Sequence, residues 1–337
     1  MIDNKWNKKK KDELKMFDIY QNISLLHIPD SSYYQKKSVL LKNCGTYLKF
    51  LECPQGHKEG RFLKTANFCK IRLCPMCQWR RSLFVYRQFL CVAHKVQVNH
   101  PDSKYVFITV SRKNVPASVL SSELTHYLKS FRRLTQYEIF NKVISGTFRT
   151  FEITYNSVTD TYHPHLHIIG VVNKSYFTDT RNYISQKKMT DLWQKAVQVD
   201  YTPIVDIRKV RPRNKQQKTV LQEVNQLDNE LSGAAAEVAK YSVKFKDIFK
   251  AKNKEEVVQV LDGVLKNRRL IGYTGVMKEA YQQLKLKDVD NSDLVNIDEI
   301  NFDEKCECPI CQSELVQAQY LFDFTLKKYK ERKKWTM

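Results

Sequence analysis

The chain has no apolar run near the roughly 18 residues that a membrane helix needs, so no spanning segment and no membrane partner are expected. The lysines of its opening stretch, MIDNKWNKKKKDELK, are followed by no apolar segment, which argues against a secretory signal. No G-x-x-x-x-G-K-[ST] run is present, so strand separation driven by nucleotide hydrolysis is not expected of this chain. No internal repeat is apparent. Acidic side chains are scarce beside basic ones, 36 against 57, which leaves a formal charge of +21. An excess of that size predicts a polyanionic partner, because each phosphate contact releases counterions.

At 337 residues and 42% apolar composition the chain can hold a main domain with smaller modules. Many of its 18 Tyr and 17 Phe lie beside Lys or Arg, as in TYLKF, SFRRL and KYSVKF, pairs suited to stacking on unpaired bases. Periodicity predicts helices over 77–98, 117–140, 180–197 and 234–246, and strands at 105–110, 149–155 and 204–210 with a further one through the histidines near 165. The expected fold is α+β, a central antiparallel β-sheet with helices packed on it, plus a cysteine-rich zinc module. The expected divisions are a mobile basic arm over 1–40, a zinc-binding segment and helix over 41–98, the main domain over 99–250, and a helical region over 251–337.

His165 and His167, in YHPHLHIIGVV, lie at i and i+2 of a strand and so share a face. The polar run NSVTDT suits a turn between this strand and RTFEITY. If the two pair about that turn, Glu152 lies opposite His165, Thr150 opposite His167, and Tyr155 opposite Tyr162. A carboxylate and two imidazoles would then hold Mg²⁺ or Mn²⁺ with positions open for a phosphate oxygen. The plainer reading is of polar residues on a half-exposed strand.

Nine cysteines with CxxC-type spacing and no export signal argue for metal binding in a reducing, cytoplasmic setting rather than disulfides. In CKIRLCPMC, Cys74 and Cys77 form a knuckle able to bring two thiolates to one tetrahedral Zn²⁺. Cys53 and Cys69 are the expected third and fourth ligands, with His57 as a substitute. CECPIC supplies Cys306, Cys308 and Cys311, one ligand short by itself. Either a distant side chain completes it, or Cys308 and Cys311 meet the first knuckle; two separate sites are favoured. Cys91, in an apolar helical run, is expected to be a buried packing residue.

On the helix expected over 234–246, Glu237, Tyr241 and Lys244 stand at i, i+4 and i+7 and share a face. A tyrosine there can act as a nucleophile, with Lys244 lowering its pKa or binding phosphate and Glu237 accepting a proton. A surface helix with a salt bridge would present the same pattern.

In order, CKIRLCPMCQWRR, YVFITVS, FEITYN with YHPHLHII, and EVAKYSVK resemble the replication initiator (Rep) proteins of small Gram-positive plasmids that replicate by rolling circle, within the HUH endonuclease superfamily. The resemblance covers roughly residues 40–250. It implies that Tyr241 nicks one strand of origin DNA, unpaired at the nick, leaving a 5′-phosphotyrosine and a 3′-OH primer. It also implies that Glu237 activates water at termination, and that a host helicase and DNA polymerase act with the protein. Self-association is left open. Two rival classes are a zinc-dependent DNA-binding regulator without catalysis and another HUH enzyme, a transposase or relaxase. In relaxases the tyrosine usually precedes the histidines, whereas Tyr241 follows them.

Overall fold

Three long alternating segments form the centre of the protein, and the elements that cover them follow from which face each residue takes. The computed structural model describes residues 3–26, 28–211, 226–240, 242–295, 297 and 307–332. In chain order the elements are α1 (Asn4–Leu25), α2 (Ser31–Asn43), β1 (Tyr47–Glu52), β2 (Arg61–Ala66), α3 (Pro75–Asn99), β3 (Ser103–Ser111), α4 (Ala117–Gln136), α5 (Glu138–Val143), β4 (Gly146–Asn156) and β5 (Thr161–Asn173). They continue with α6 (Gln186–Val197), β6 (Val205–Lys209), α7 (Gln226–Val238), α8 (Phe245–Lys250), α9 (Lys254–Leu265), β7 (Ile271–Thr274), α10 (Gly275–Gln283), β8 (Val316–Asp323) and β9 (Lys328–Glu331).

The main sheet has the order β6-β3-β5-β4-β7 with every neighbouring pair antiparallel. The turn between β4 and β5 is closed by the Asn156 side chain, which accepts from the backbone N–H groups of Val158 (2.9 Å) and Thr159 (3.3 Å), and Asp160 takes a left-handed φ of 51°. One face of the sheet, with Val106, Ile108, Val110, Phe151, Leu166 and Ile168, packs on Leu120, Leu124, Tyr127 and Phe131 of α4 and on Met189 and Trp193 of α6. The other, with Tyr105, Phe107, Phe148, Ile169 and Val171, packs on α3, α7 and α10. A period of two on the strands and a stripe on each helix thus yield three layers. The expected α+β class is what forms.

A second antiparallel sheet, β2-β1-β8-β9, joins the two ends of the chain. The 251–337 region is therefore not wholly helical, since β8 pairs along the whole of β1. Nor do the described residues of 1–40 form an unstructured arm. Residues 4–25 and 31–43 are helices, and α1 buries Trp6, Met16, Ile19, Tyr20 and Ile23. Lysines crowded between those apolar positions mask the stripe in the sequence. Lys10 is itself fully buried, donating to the carbonyls of Lys42 (3.0 Å) and Cys44 (2.7 Å) and pairing with Glu13 at 2.5 Å.

The helix expected over 234–246 is broken. α7 ends at Val238, and Val243 instead forms a parallel bridge to Ile153 of β4. β7 covers β4 only from Thr147 to Thr150, and the uncovered N–H of Ile153 takes the carbonyl of Ser242 at 2.8 Å. Lys244 caps the next helix, α8, so it does not share a helical face with Glu237. Cys91 is exposed, because α3 turns Phe89, Val92, Ala93 and Val96 to the sheet and leaves position 91 outside that stripe. No described helix is long and apolar enough to cross a membrane.

Asp262 of α9 is the polar hub that docks α1 and α2. Its carboxylate accepts from Tyr20 (2.8 Å), Tyr33 (3.0 Å) and Lys37 (2.8 and 2.7 Å). Asp262→Ala leaves those donors without a partner in a largely buried setting. It should cost about 2–4 kcal/mol, read as a fall in the urea midpoint with the slope unchanged.

Candidate metal centres

β5 carries His165 and His167 on the face that also holds Ile169, and β4 lays Glu152 opposite His165 and Thr150 opposite His167. The register expected from the turn is the one formed, Tyr155 facing Tyr162 included. Both Nε2 atoms point at one carboxylate oxygen, Glu152 Oε2, at 3.0 Å from His165 and 2.9 Å from His167. The other imidazole nitrogens are committed elsewhere. His167 Nδ1 lies 3.1 Å from Thr109 Oγ1 on β3, and His165 Nδ1 lies 3.4 Å from the carbonyl of His163. These contacts orient both rings with Nε2 inward, the role outer partners play around metal ligands.

The set fits a divalent cation. Octahedral bonds of about 2.1 Å give neighbouring ligand atoms about 3.0 Å apart, as here. Glu152 Oε1 is buried and accepts no hydrogen bond, although Lys244 Nζ approaches it at 3.2 Å. Burial alone would raise the Glu152 carboxyl; hydrogen bonds to His165 and His167 and the charge of Lys244 overcome it and hold the group well below the usual carboxylate range. His163, on the same strand face, is held by Asn114 Oδ1 at 2.7 Å from its Nδ1, outside the triad.

Lys244 thus reaches the triad from a neighbouring segment. Glu237 lies at the end of α7, where it pairs with Lys240. Tyr241 lies outside the described residues.

The cysteines assemble two further groups, in a different combination from that expected. Cys69, Cys74 and Cys77 are joined by Cys44, not Cys53. The sulfur separations are 3.6 Å for Cys44–Cys74, 3.6 Å for Cys44–Cys77 and 3.7 Å for Cys69–Cys77. A tetrahedron with Zn–S bonds of about 2.3 Å has edges of about 3.8 Å, so the four thiols fit that ion. The N–H of Lys70 reaches Cys77 Sγ at 3.2 Å, and Cys74 caps α3 with Pro75 at its first turn.

Cys53 belongs to the second group, with His57, Cys308 and Cys311. His57 Nδ1 lies 3.4 Å from Cys53 Sγ and 3.5 Å from Cys308 Sγ, and Cys53 lies 3.4 Å from Cys311. The Ser313 hydroxyl and backbone hold the Cys311 thiol down at about 6, toward the thiolate a metal needs. Gly60 is the close neighbour that makes room: a Cβ there would sit 2.9 Å from Cys308 Sγ and 3.0 Å from Cys53 Cβ. Two separate sites, as favoured, are thus present as ligand sets. Cys306 lies outside the described residues. Sequence reasoning counted Cys44 in the first cysteine group but gave it no ligand role, since it lies thirty residues before the knuckle, and it passed over Thr109, an ordinary strand residue.

Fold and sites together define an α+β protein with a His–His–carboxylate group at its central strands and two cysteine-rich groups beside them. A family model described as "Replication protein" matches residues 60–320. The chain is similar to a "Protein rep" of Bacillus sp, 39% identical over 274 residues, which covers 79% of this chain and 86% of that one. It is also similar to a "Protein rep" of Streptococcus pneumoniae serotype 2, 33% identical over 294 residues, covering 87% and 83% respectively. A "Replication protein" of Staphylococcus aureus is 33% identical over 220 residues, 64% of this chain and 87% of that one. No solved structure gives a significant match. The chain belongs to the replication protein (Rep) family of plasmid replication initiators, with DNA as its partner.

Purified protein should carry two zinc ions per chain, with Cys44→Ser and Cys311→Ser each lowering zinc content by one, measured by atomic emission. The depressed carboxyl of Glu152 stabilises metal-free protein fully above the unfolded carboxylate pKa, and this is lost as pH falls through the folded value. Glu152→Gln in metal-free protein should therefore destabilise at pH 7, and the difference should shrink below about pH 4, in denaturant titrations at both pH values.

Proposed function

We propose that the protein nicks and rejoins one strand of its plasmid origin, using Tyr241 as nucleophile and a divalent cation held by Glu152, His165 and His167. The observation that carries this reading is the convergence of both imidazole Nε2 atoms on Glu152 Oε2, with Lys244 3.2 Å from the other oxygen of that carboxylate. The chain resumes directly after Tyr241 with Ser242 and Val243 on β4 at Ile153, the neighbour of Glu152. Consecutive Cα atoms are about 3.8 Å apart, so that tether supports a tyrosine working at this centre.

Mg²⁺ or Mn²⁺, when bound, would polarise the scissile phosphate and offset charge developing on its oxygens. The Tyr241 oxygen forms the new bond to phosphorus as the bond to the 3′-oxygen breaks. The phenolic proton passes to a base, and the leaving oxygen takes up a proton to become the 3′-OH primer. Lys244, with about half of its side chain exposed, would supply a cation for the phosphate beside the triad. Glu237 is assigned to activating water at termination, which requires it to exchange its present partner Lys240. Unwinding and extension would fall to host helicase and DNA polymerase in the cytoplasm.

Incubation with a single-stranded origin oligonucleotide and Mn²⁺ should give a protein–DNA band that resists denaturant. Tyr241→Phe should abolish the band while DNA binding persists, and His167→Ala should reduce nicking by about 10²-fold or more. A Tyr241→Phe variant that still forms the adduct would end this assignment, and a wild-type protein that binds the origin without any adduct would favour a non-catalytic regulator.

A further inference from the structure

Beside the first cysteine group lies a cavity of about 450 Å³ walled by seven cationic side chains and three carboxylates. The cations come from segments far apart in sequence: Lys37 on α2, Lys70 and Arg72 on the knuckle loop, Arg81 on α3, and the run after α9 that includes Lys266 and Arg269. Each carboxylate is already matched: Asp262 with Lys37 at 2.7 Å, Asp290 with Arg72 at 2.7 Å, Asp288 with Arg269 at 2.9 Å. Four positive charges remain over. Arg81 donates to the carbonyls of Lys70 and Ile71, and Arg268 to the carbonyls of Val264 and Ser121 and the hydroxyls of Ser121 and Thr125, which fixes the walls while keeping the charge. Lys70 and Lys266 have no ion-pair partner among the described residues, and both are exposed.

The cavity adjoins a second space that borders the strand carrying Glu152. A second, smaller space of about 50 Å³ shares Arg72, Arg81 and Asp290 with it and extends to Thr150 and Ser242. Thr150 is the residue opposite His167. The Gln78 amide ties the two spaces together, donating to the Arg72 carbonyl at 2.6 Å and to Ser242 Oγ at 3.1 Å. A volume of this size has room for about one or two nucleotides, and an unneutralised cationic lining calls for anionic oxygen.

We infer that this cavity grips backbone phosphates of the unpaired strand flanking the scissile bond, so that the wall of the cysteine knuckle holds the DNA whose nick the triad serves. The inference rests on the nicking reading for its choice of strand. Its chemistry, phosphodiester oxygens on Lys70 and Lys266 backed by Arg72 and Arg269, does not depend on which group attacks.

The test is binding of a labelled single-stranded origin oligonucleotide by fluorescence anisotropy over a range of salt. Lys70→Gln with Lys266→Gln should weaken binding about tenfold or more. The slope of log K against log salt should become shallower by about 1.4, two contacts at about 0.7 each for a single strand. Unchanged zinc content would show that the knuckle has survived. A control that removes the same charge at the start of β9 and at the residue before it, Lys328→Gln with Lys327→Gln, should leave the slope near wild type. An unaltered slope in the cavity variant, or an equal fall in the control, overturns the inference. So would a deoxynucleoside monophosphate that competes as well as the oligonucleotide, since the cavity would then hold free nucleotide rather than strand. Because the readout is binding, failure of the wild-type protein to form an adduct would count against the nicking reading alone.

Discussion

The pairing of β4 with β5, running from Gly146 opposite Val171 to Asn156 opposite Thr161, is the constraint on which the functional centre depends. A slip of one residue would turn every side chain on one strand to the opposite face. Here both faces are covered, by α4 and α6 on one side and by α3, α7 and α10 on the other, so a slip would mismatch the packing of two layers at once. The metal group inherits its alignment from that penalty rather than from its own contacts. β3 extends the line, since Thr109 pairs with His167 in the same antiparallel frame and holds its Nδ1.

α3 carries that order outward. Its first turn is capped by Cys74 and contains Cys77, the next residue Gln78 reaches Ser242, and its middle packs on the sheet. One rigid helix therefore connects a cysteine group, a basic cavity and the segment that follows Tyr241. Disruption of the Cys44 group would loosen the N-terminal end of this helix, and with it the link to β4.

Much of the centre was legible in the sequence because local rules set it. A strand alternates with period two, and one polar turn fixes the pairing of two adjacent strands, so Glu152 could be matched to His165 from spacing alone. The Cys74–Cys77 knuckle was equally local. What escaped was long-range. Cys44 joins through the meeting of α2 with the knuckle, and Cys53 finds Cys308 and Cys311 only because β8 pairs with β1. α1 was hidden by its lysines, one of which is buried on backbone carbonyls that no sequence pattern announces. The break after Val238 arises from the uncovered edge of β4, a tertiary demand that overrides the helical spacing of Glu237 and Lys244.

The second cysteine group has a consequence for how the protein is made. Cys53 and His57 leave the ribosome early, yet their partners Cys308 and Cys311 follow some 250 residues later, at synthesis rates of about 5–20 residues per second. For all that interval a thiol and an imidazole wait as an incomplete set, and β1 lacks the strand that lies along it. A prematurely terminated chain would keep the triad's strands but not the closed clasp, leaving apolar β1 surface open to proteases.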